Sequence, residues 1–115
     1  MIFETTIAAI ATSPGGEIGV IRLSGSQALE IALKVWKPLF AQKKLEARKM
    51  YLGKCFNQDE EIEQALLVSM PGPHSYSGEN VVEIQCHGGA LSTRAVLGAL
   101  LKNGAIPAEP GEFTK

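Results

Sequence analysis

The spacing of apolar residues changes repeatedly along the chain, and each change predicts an element. Thr5 to Thr12 is a short β-friendly run that ends at Ser13-Pro14-Gly15-Gly16, a clear turn signal. Ile18 to Leu23 (IGVIRL) predicts a second strand, nearly continuous in apolar residues as expected of a strand covered on both faces. The serines of Ser24-Gly25-Ser26 stand where they would cap a helix by accepting backbone N–H bonds. Ala28, Leu29, Ala32, Leu33 and Trp36 then recur with helical spacing, and Pro38 stops that helix. After the polar connector of Gln42, Lys43, Lys44 and Glu46, the runs Lys49 to Phe56 and Ile62 to Met70 flank a polar tip, Asn57 to Glu61. That arrangement predicts a hairpin.

Pro71 to Gly78 (PGPHSYSG) is irregular, because two prolines and two glycines interrupt it. Val81 to Cys86 predicts another strand. Gly88-Gly89 opens a helix running to about Lys102, with Asn103-Gly104 as its stop, and the tail from Ile106 reads as extended. The order is ββαβββα, about five strands and two main helices, with no internal repeat. The expected class is α/β (α+β): a mixed sheet with the two helices packed on it.

Composition narrows the function. The chain has 115 residues, 45% hydrophobic and 20% charged, which suits one globular domain rather than a disordered segment. A net charge of -1 argues against a domain that holds nucleic acid by itself. No apolar run approaches the roughly 18–20 residues of a membrane span, and the amino terminus lacks the basic region of a secretory signal. Two cysteines, Cys55 and Cys86, are too few for a disulfide framework or a zinc set, so reduced thiols in a cytoplasmic protein are expected. The chain contains no G-x-x-x-x-G-K-[ST] loop, C-x-x-C, H-E-x-x-H or G-x-S-x-G, so self-contained hydrolytic or redox catalysis has little support.

The candidate chemistry lies in polar residues inside apolar strands. Alternation puts Ile18, Val20, Arg22 and Ser24 on one side of their strand, with Arg22 beside core residues and in need of an acidic or ligand partner. In VVEIQCH, Val81, Glu83, Gln85 and His87 share a face and Val82, Ile84 and Cys86 share the other. A carboxylate, an amide and an imidazole in a row suit a flat heteroaromatic ligand with adjacent N–H donors, such as a pterin. The simpler alternative is a solvent-facing row, or a structural ion pair between Glu83 and Arg22. His87-Gly88-Gly89, where strand passes into helix, has the glycines and bare amides of an anion site, although glycine there also serves mere steric convenience. Tyr76, in the irregular loop, is placed to stack on a ring or to anchor the loop. Cys86 reads as a small core residue.

Ser13-Pro14-Gly15 followed by GVIRLSG, then MPGPHSYSGENVVEIQCHGG, then PGEFTK, together resemble the amino-terminal domain of the MnmE (TrmE) family of tRNA modification GTPases. The resemblance covers essentially the whole chain. It implies a single amino-terminal domain, 1–115, of a longer protein whose helical and GTPase domains, with their GTP, Mg and K, lie outside this chain. It further implies a fold like the folate-binding domain of aminomethyltransferases, homodimerisation, and binding of a formyl-tetrahydrofolate-type one-carbon donor. With a partner protein, MnmG, the family installs an aminomethyl-type group, carboxymethylaminomethyl-like, on the wobble uridine of certain tRNAs, in the cytoplasm and without a membrane.

The family's folate-contacting Arg and Glu fall on Arg22 and Glu83, the two residues that strand alternation also singles out; Gln85, His87 and Tyr76 are further pocket candidates. A folate-contacting Lys just beyond PGEF and a carboxy-terminal contributor are not in this sequence. Three functions follow as alternatives: a folate-binding dimerisation module, a purely structural interaction module, and a stand-alone one-carbon transferase. The last has least support, since no residue set forms an activated nucleophile or acid–base pair.

Overall fold

The computed structural model describes residues 6–11, 18–40, 44–72 and 80–108. Its strands are β1 (Ile7–Ile10), β2 (Gly19–Ser24), β3 (Trp36–Pro38), β4 (Met50–Asn57), β5 (Glu60–Met70), β6 (Val81–Cys86) and β7 (Ile106–Pro107). Helix α1 spans Ala28–Val35 and α2 spans Gly89–Lys102. The strands form one mixed sheet in the order β3-β4-β5-β6-β2-β1-β7. Every neighbouring pair is antiparallel except β1 with β7.

The α+β class is as expected, but the sheet is larger than five strands, and the two extra strands have distinct causes. Trp36 has helical spacing from Ala32, and its N–H does make the last helical bond, to the Ala32 carbonyl. Its own dihedrals are extended, however, so α1 stops at Val35, three residues before the proline assigned as its stop. The buried indole donates its N–H to the Ala65 carbonyl at 3.0 Å, which draws Trp36 onto the sheet. Lys37 Nζ in turn donates to the Leu33 carbonyl at the helix end, 2.7 Å away. The second extra strand is delivered by the end of α2. Gly104, at φ +116°, lets the Ala105 N–H reach the Leu100 carbonyl while Gly104 N–H reaches Leu101, a Schellman closure at the predicted Asn103-Gly104 stop. Ile106 N–H then bonds Thr6 O at 2.9 Å beside β1.

α2 opens at Gly88-Gly89 as expected, whereas the start of α1 differs. Gln27, not a serine, occupies the α1 cap position without a side-chain bond. The entry is held instead by Gln27 N–H donating to Thr6 Oγ1 and Ala28 N–H to Gly25 O. The hairpin is tighter than predicted, with Gln58-Asp59 as its two-residue turn and Gln58 at φ +59°.

Both helices pack on one side of the sheet. Ile21, Leu23, Leu67, Ile84, Trp36 and Leu100 are fully buried there. At Gly19 a Cβ would stand 2.8 Å from Thr93 Cγ2, so glycine is what lets α2 approach β2. Among the described residues no helix packs on the other side of the sheet, and β2 is less evenly buried there than a strand covered on both faces: Ser24 is buried with its partner Val81. Val20 and Arg22 are only half-buried, whereas Ile21 and Leu23 are fully buried.

Candidate functional site

On the side of the sheet opposite α1 and α2, strand register assembles the site. β2 and β6 pair with Arg22 directly opposite Glu83 and Val20 opposite Gln85. β5 continues both rows through Val68 and Leu66, β4 through Met50 and Leu52, and β1 adds Ala9 beside Arg22. Arg22 therefore lies in the row Ala9-Arg22-Glu83-Val68-Met50, not among the core residues, which occupy the opposite face.

Arg22 Nε donates to Glu83 Oε2 at 2.8 Å, and Nη2 reaches the same oxygen at 2.6 Å. The side chains are 26% and 16% exposed, so the pair is partly desolvated and its hydrogen bonds are charge-assisted. Both contacts converge on Oε2, and among the described residues Glu83 Oε1 accepts no hydrogen bond. A carboxylate fixed through one oxygen presents the other as an acceptor of known direction. Around it, Val20, Leu66 and Val68 are half-buried, while Met50 and Leu52 remain 45% and 39% exposed. The face is thus a charged centre with an apolar flank on the β5–β4 side.

Gln85 sits one row from the pair on the same face, half-buried. His87 follows β6 on the same parity and is exposed, just before the Gly88 cap of α2. Tyr76 lies outside the described residues, as do Ser13-Pro14-Gly15-Gly16 and PGEFTK. The structure thus brings Arg22, Glu83 and Gln85 together and leaves His87 at the margin. Among the described residues a cavity of about 480 Å³ lies on the helix side, between the start of α1, residues 44–47 and the ends of β5 and β6. Ser26, Leu29, Ser69, Asn80 and Val82 are among its lining residues; Arg22 and Glu83 are not.

Two features escaped the sequence reading. The apolar flank was legible as alternation in β4 and β5, but only the register shows that it adjoins Glu83. Glu63 is the second. It shares a strand side with Ala65 and Leu67, and its Oε2 is buried without a hydrogen-bond partner. A Cβ on Gly88 would collide with Glu63 Oε1, so the carboxylate lies against the amino end of α2, where the helix dipole favours negative charge.

Beside it stand both thiols. Burial, reinforced by the Glu63 charge, pushes Cys55 up to about 12. Burial also raises Cys86, helped by its hydrogen bond to Glu63, by the charges of Glu63 and Cys55, and opposed only by a hydrogen bond with Thr93. Both cysteines are free and fully buried, as the core reading of Cys86 expected. They lie on strands separated by β5, whose axes are roughly 9–10 Å apart, and they are offset by two residues along it, beyond disulfide reach.

No helix among the described residues is long and apolar enough to cross a membrane, and no cluster of side chains there would hold a metal ion. The family model described as "GTP-binding protein TrmE N-terminus" matches residues 6–115. Proteins named tRNA modification GTPase MnmE are similar over nearly all of the chain. The one from Moorella thermoacetica is 49% identical over 99% of this chain and 26% of its own length. That from Chloroflexus aurantiacus is 50% identical over 95% and 24%, and that from Chlamydia caviae 44% over 100% and 26%. The chain therefore spans about a quarter of the length of the relatives it matches. On this extent of similarity, together with the GVIRLSG and MPGPHSYSGENVVEIQCHGG segments that carry Arg22 and Glu83, the chain belongs to the TrmE amino-terminal family.

Proposed function

We propose that this chain is the module with which a tRNA modification GTPase holds a formyl-tetrahydrofolate-type donor and pairs with a second copy of itself. The observation that carries the reading is the Glu83 carboxylate, anchored by Arg22 through Oε2 alone and set beside an apolar flank. A pterin presents an edge of N–H donors and a flat ring. Oε1 suits the edge, and Val68, Leu66 and Leu52 suit the ring. Arg22 then acts by orienting the carboxylate, rather than by neutralising an anionic part of the ligand. Gln85 is the next polar group along the same face. The bound folate would supply the one-carbon unit; the residues of this chain bind it and orient it.

Pairing of two copies is supported by the exposed Met50 and Leu52 on the same face. The edge strands β3 and β7 are only 3 and 2 residues long and each carries a proline, Pro38 and Pro107. Short, proline-bearing edges discourage growth of the sheet edge to edge, so a second copy is better received on the face. Leu52→Asp is expected to give a monomer by light scattering, and an unchanged dimer would remove the face from the contact. Action on the wobble uridine with MnmG, GTP hydrolysis with Mg and K, and a cytoplasmic setting belong to the whole protein and extend the family resemblance. The single-domain reading of 1–115 is part of the same proposal.

Calorimetric titration with formyl-tetrahydrofolate tests the ligand. Glu83→Ala and Arg22→Ala are each expected to weaken binding by about 1.5–3 kcal/mol, roughly 10- to 150-fold, the scale of a charged hydrogen bond. An unchanged affinity removes that residue from the site. A second reading, a structural interaction module without ligand, is favoured by one observation: Arg22 and Glu83 form an ion pair with each other across the β2–β6 ladder. Absence of heat from the unaltered chain at millimolar ligand would decide for it.

A further inference from the structure

Asn80 stands immediately before β6 and takes hydrogen bonds from both neighbouring strand ends. Its backbone carbonyl accepts the Gly25 N–H at 2.9 Å, extending the β2–β6 ladder one residue beyond Ser24 and Val81. Its side-chain Oδ1 accepts the Gly72 N–H, also at 2.9 Å. The second bond solves a local problem. Met70 pairs with Val81, so the next position, opposite Asn80, is Pro71, which has no N–H to donate. The β5–β6 ladder has to stop there, and the Asn80 amide captures the following N–H instead.

We propose that Asn80 is a positioning residue for the Arg22–Glu83 site. It joins the exits of β2 and β5 to the entry of β6, three residues from both Arg22 (counted through Gly25) and Glu83. Its own side chain has the parity of Val82 and lines the helix-side cavity, so it does not itself face the ligand surface. The effect on the site passes through the backbone of β2 and β6, whose relative position sets whether two guanidinium donors reach one carboxylate oxygen. The ligand arm of this inference rests on the folate reading above, and a ligand-free arm keeps the two separable.

The test compares Asn80→Ala, which deletes the acceptor but keeps the carbonyl bond to Gly25, with Asn80→Asp, which keeps an acceptor oxygen. By NMR without ligand, Asn80→Ala is expected to speed exchange of the Gly72 amide and to move the Arg22 Nε–H resonance, and Asn80→Asp to restore both. By titration, Asn80→Ala is expected to weaken formyl-tetrahydrofolate binding about tenfold, with Asn80→Asp within about threefold of the unaltered chain. An Arg22 Nε–H resonance unmoved in Asn80→Ala overturns the proposal whatever the ligand does. Equal weakening by both variants also overturns it. If the unaltered chain binds no folate, the folate reading fails, and the NMR arm alone decides for or against Asn80.

Discussion

Trp36→Ala is expected to lower the stability of the chain by about 3–5 kcal/mol, the range for deleting a fully buried aromatic side chain. Against a total of roughly 5–15 kcal/mol for a domain, that is close to unfolding. The indole is completely buried, and its Cε2 and Cζ2 atoms fill the space that a side chain at Gly53 would otherwise claim. Its N–H is bonded to Ala65 O, so the truncation leaves a cavity and takes a partner from a carbonyl in the middle of the sheet. Trp36 also begins β3, and its loss removes the anchor that turns the end of α1 onto the sheet edge. Circular dichroism in urea is the appropriate measurement, because the variant has no other tryptophan to report by fluorescence. Trp36→Phe should fall between the two, keeping most of the volume and losing the N–H. A loss under about 1 kcal/mol for Trp36→Ala would show that the site collapses around the gap and that the indole is not what holds α1 to the sheet edge.

Alkaline instability is the second large effect. In the unfolded chain the two thiols release protons from about pH 9, whereas in the folded chain burial holds Cys55 protonated to about 12 and raises Cys86 as well. Between those limits the unfolded state binds fewer protons than the folded one, so stability falls as pH rises. The contribution is complete below pH 9 and is lost progressively above it, by about 1.4 kcal/mol per thiol for each pH unit. Thermal melts from pH 8 to 10.5 should therefore show a downward slope. Cys55→Ala and Cys86→Ala should each flatten it, even though each begins from a lower melting point. Parallel slopes in the variants and the unaltered chain would show that other groups carry the effect. The same burial keeps both thiols unreactive towards disulfide reagents at pH 8 until the chain unfolds.

The apolar flank beside Glu83 bears on both parts of the proposed function. Half-buried Leu66 and Val68 and exposed Met50 and Leu52 form a surface that a ring can use at its polar end and a second copy at its apolar end. Such a face is stable in water only because the opposite face carries the core. Helix-side residues from β2, β6, β5 and both helices supply the burial.

Local patterning alone determined a good deal. The four longer strands, the hairpin, α2 with its Asn103-Gly104 stop, and the shared parity of Val81, Glu83 and Gln85 all follow from periods of 2 and 3.6, which are properties of the backbone over a few residues. Arg22 was placed on the face of Val20 for the same reason. Tertiary structure decided which face met the helices, and it decided that Arg22 and Glu83, 61 residues apart, are direct cross-strand partners. It also decided the two short edge strands. Trp36 leaves the helix because its indole finds Ala65 O, and Ile106 becomes a strand because Thr6 O lies beside it. Asn80 gained its place from the missing N–H of Pro71 on a neighbouring strand. In each case the deciding partner comes from a distant segment. Register is set by the packing of all seven strands at once, and no window of a few residues contains it.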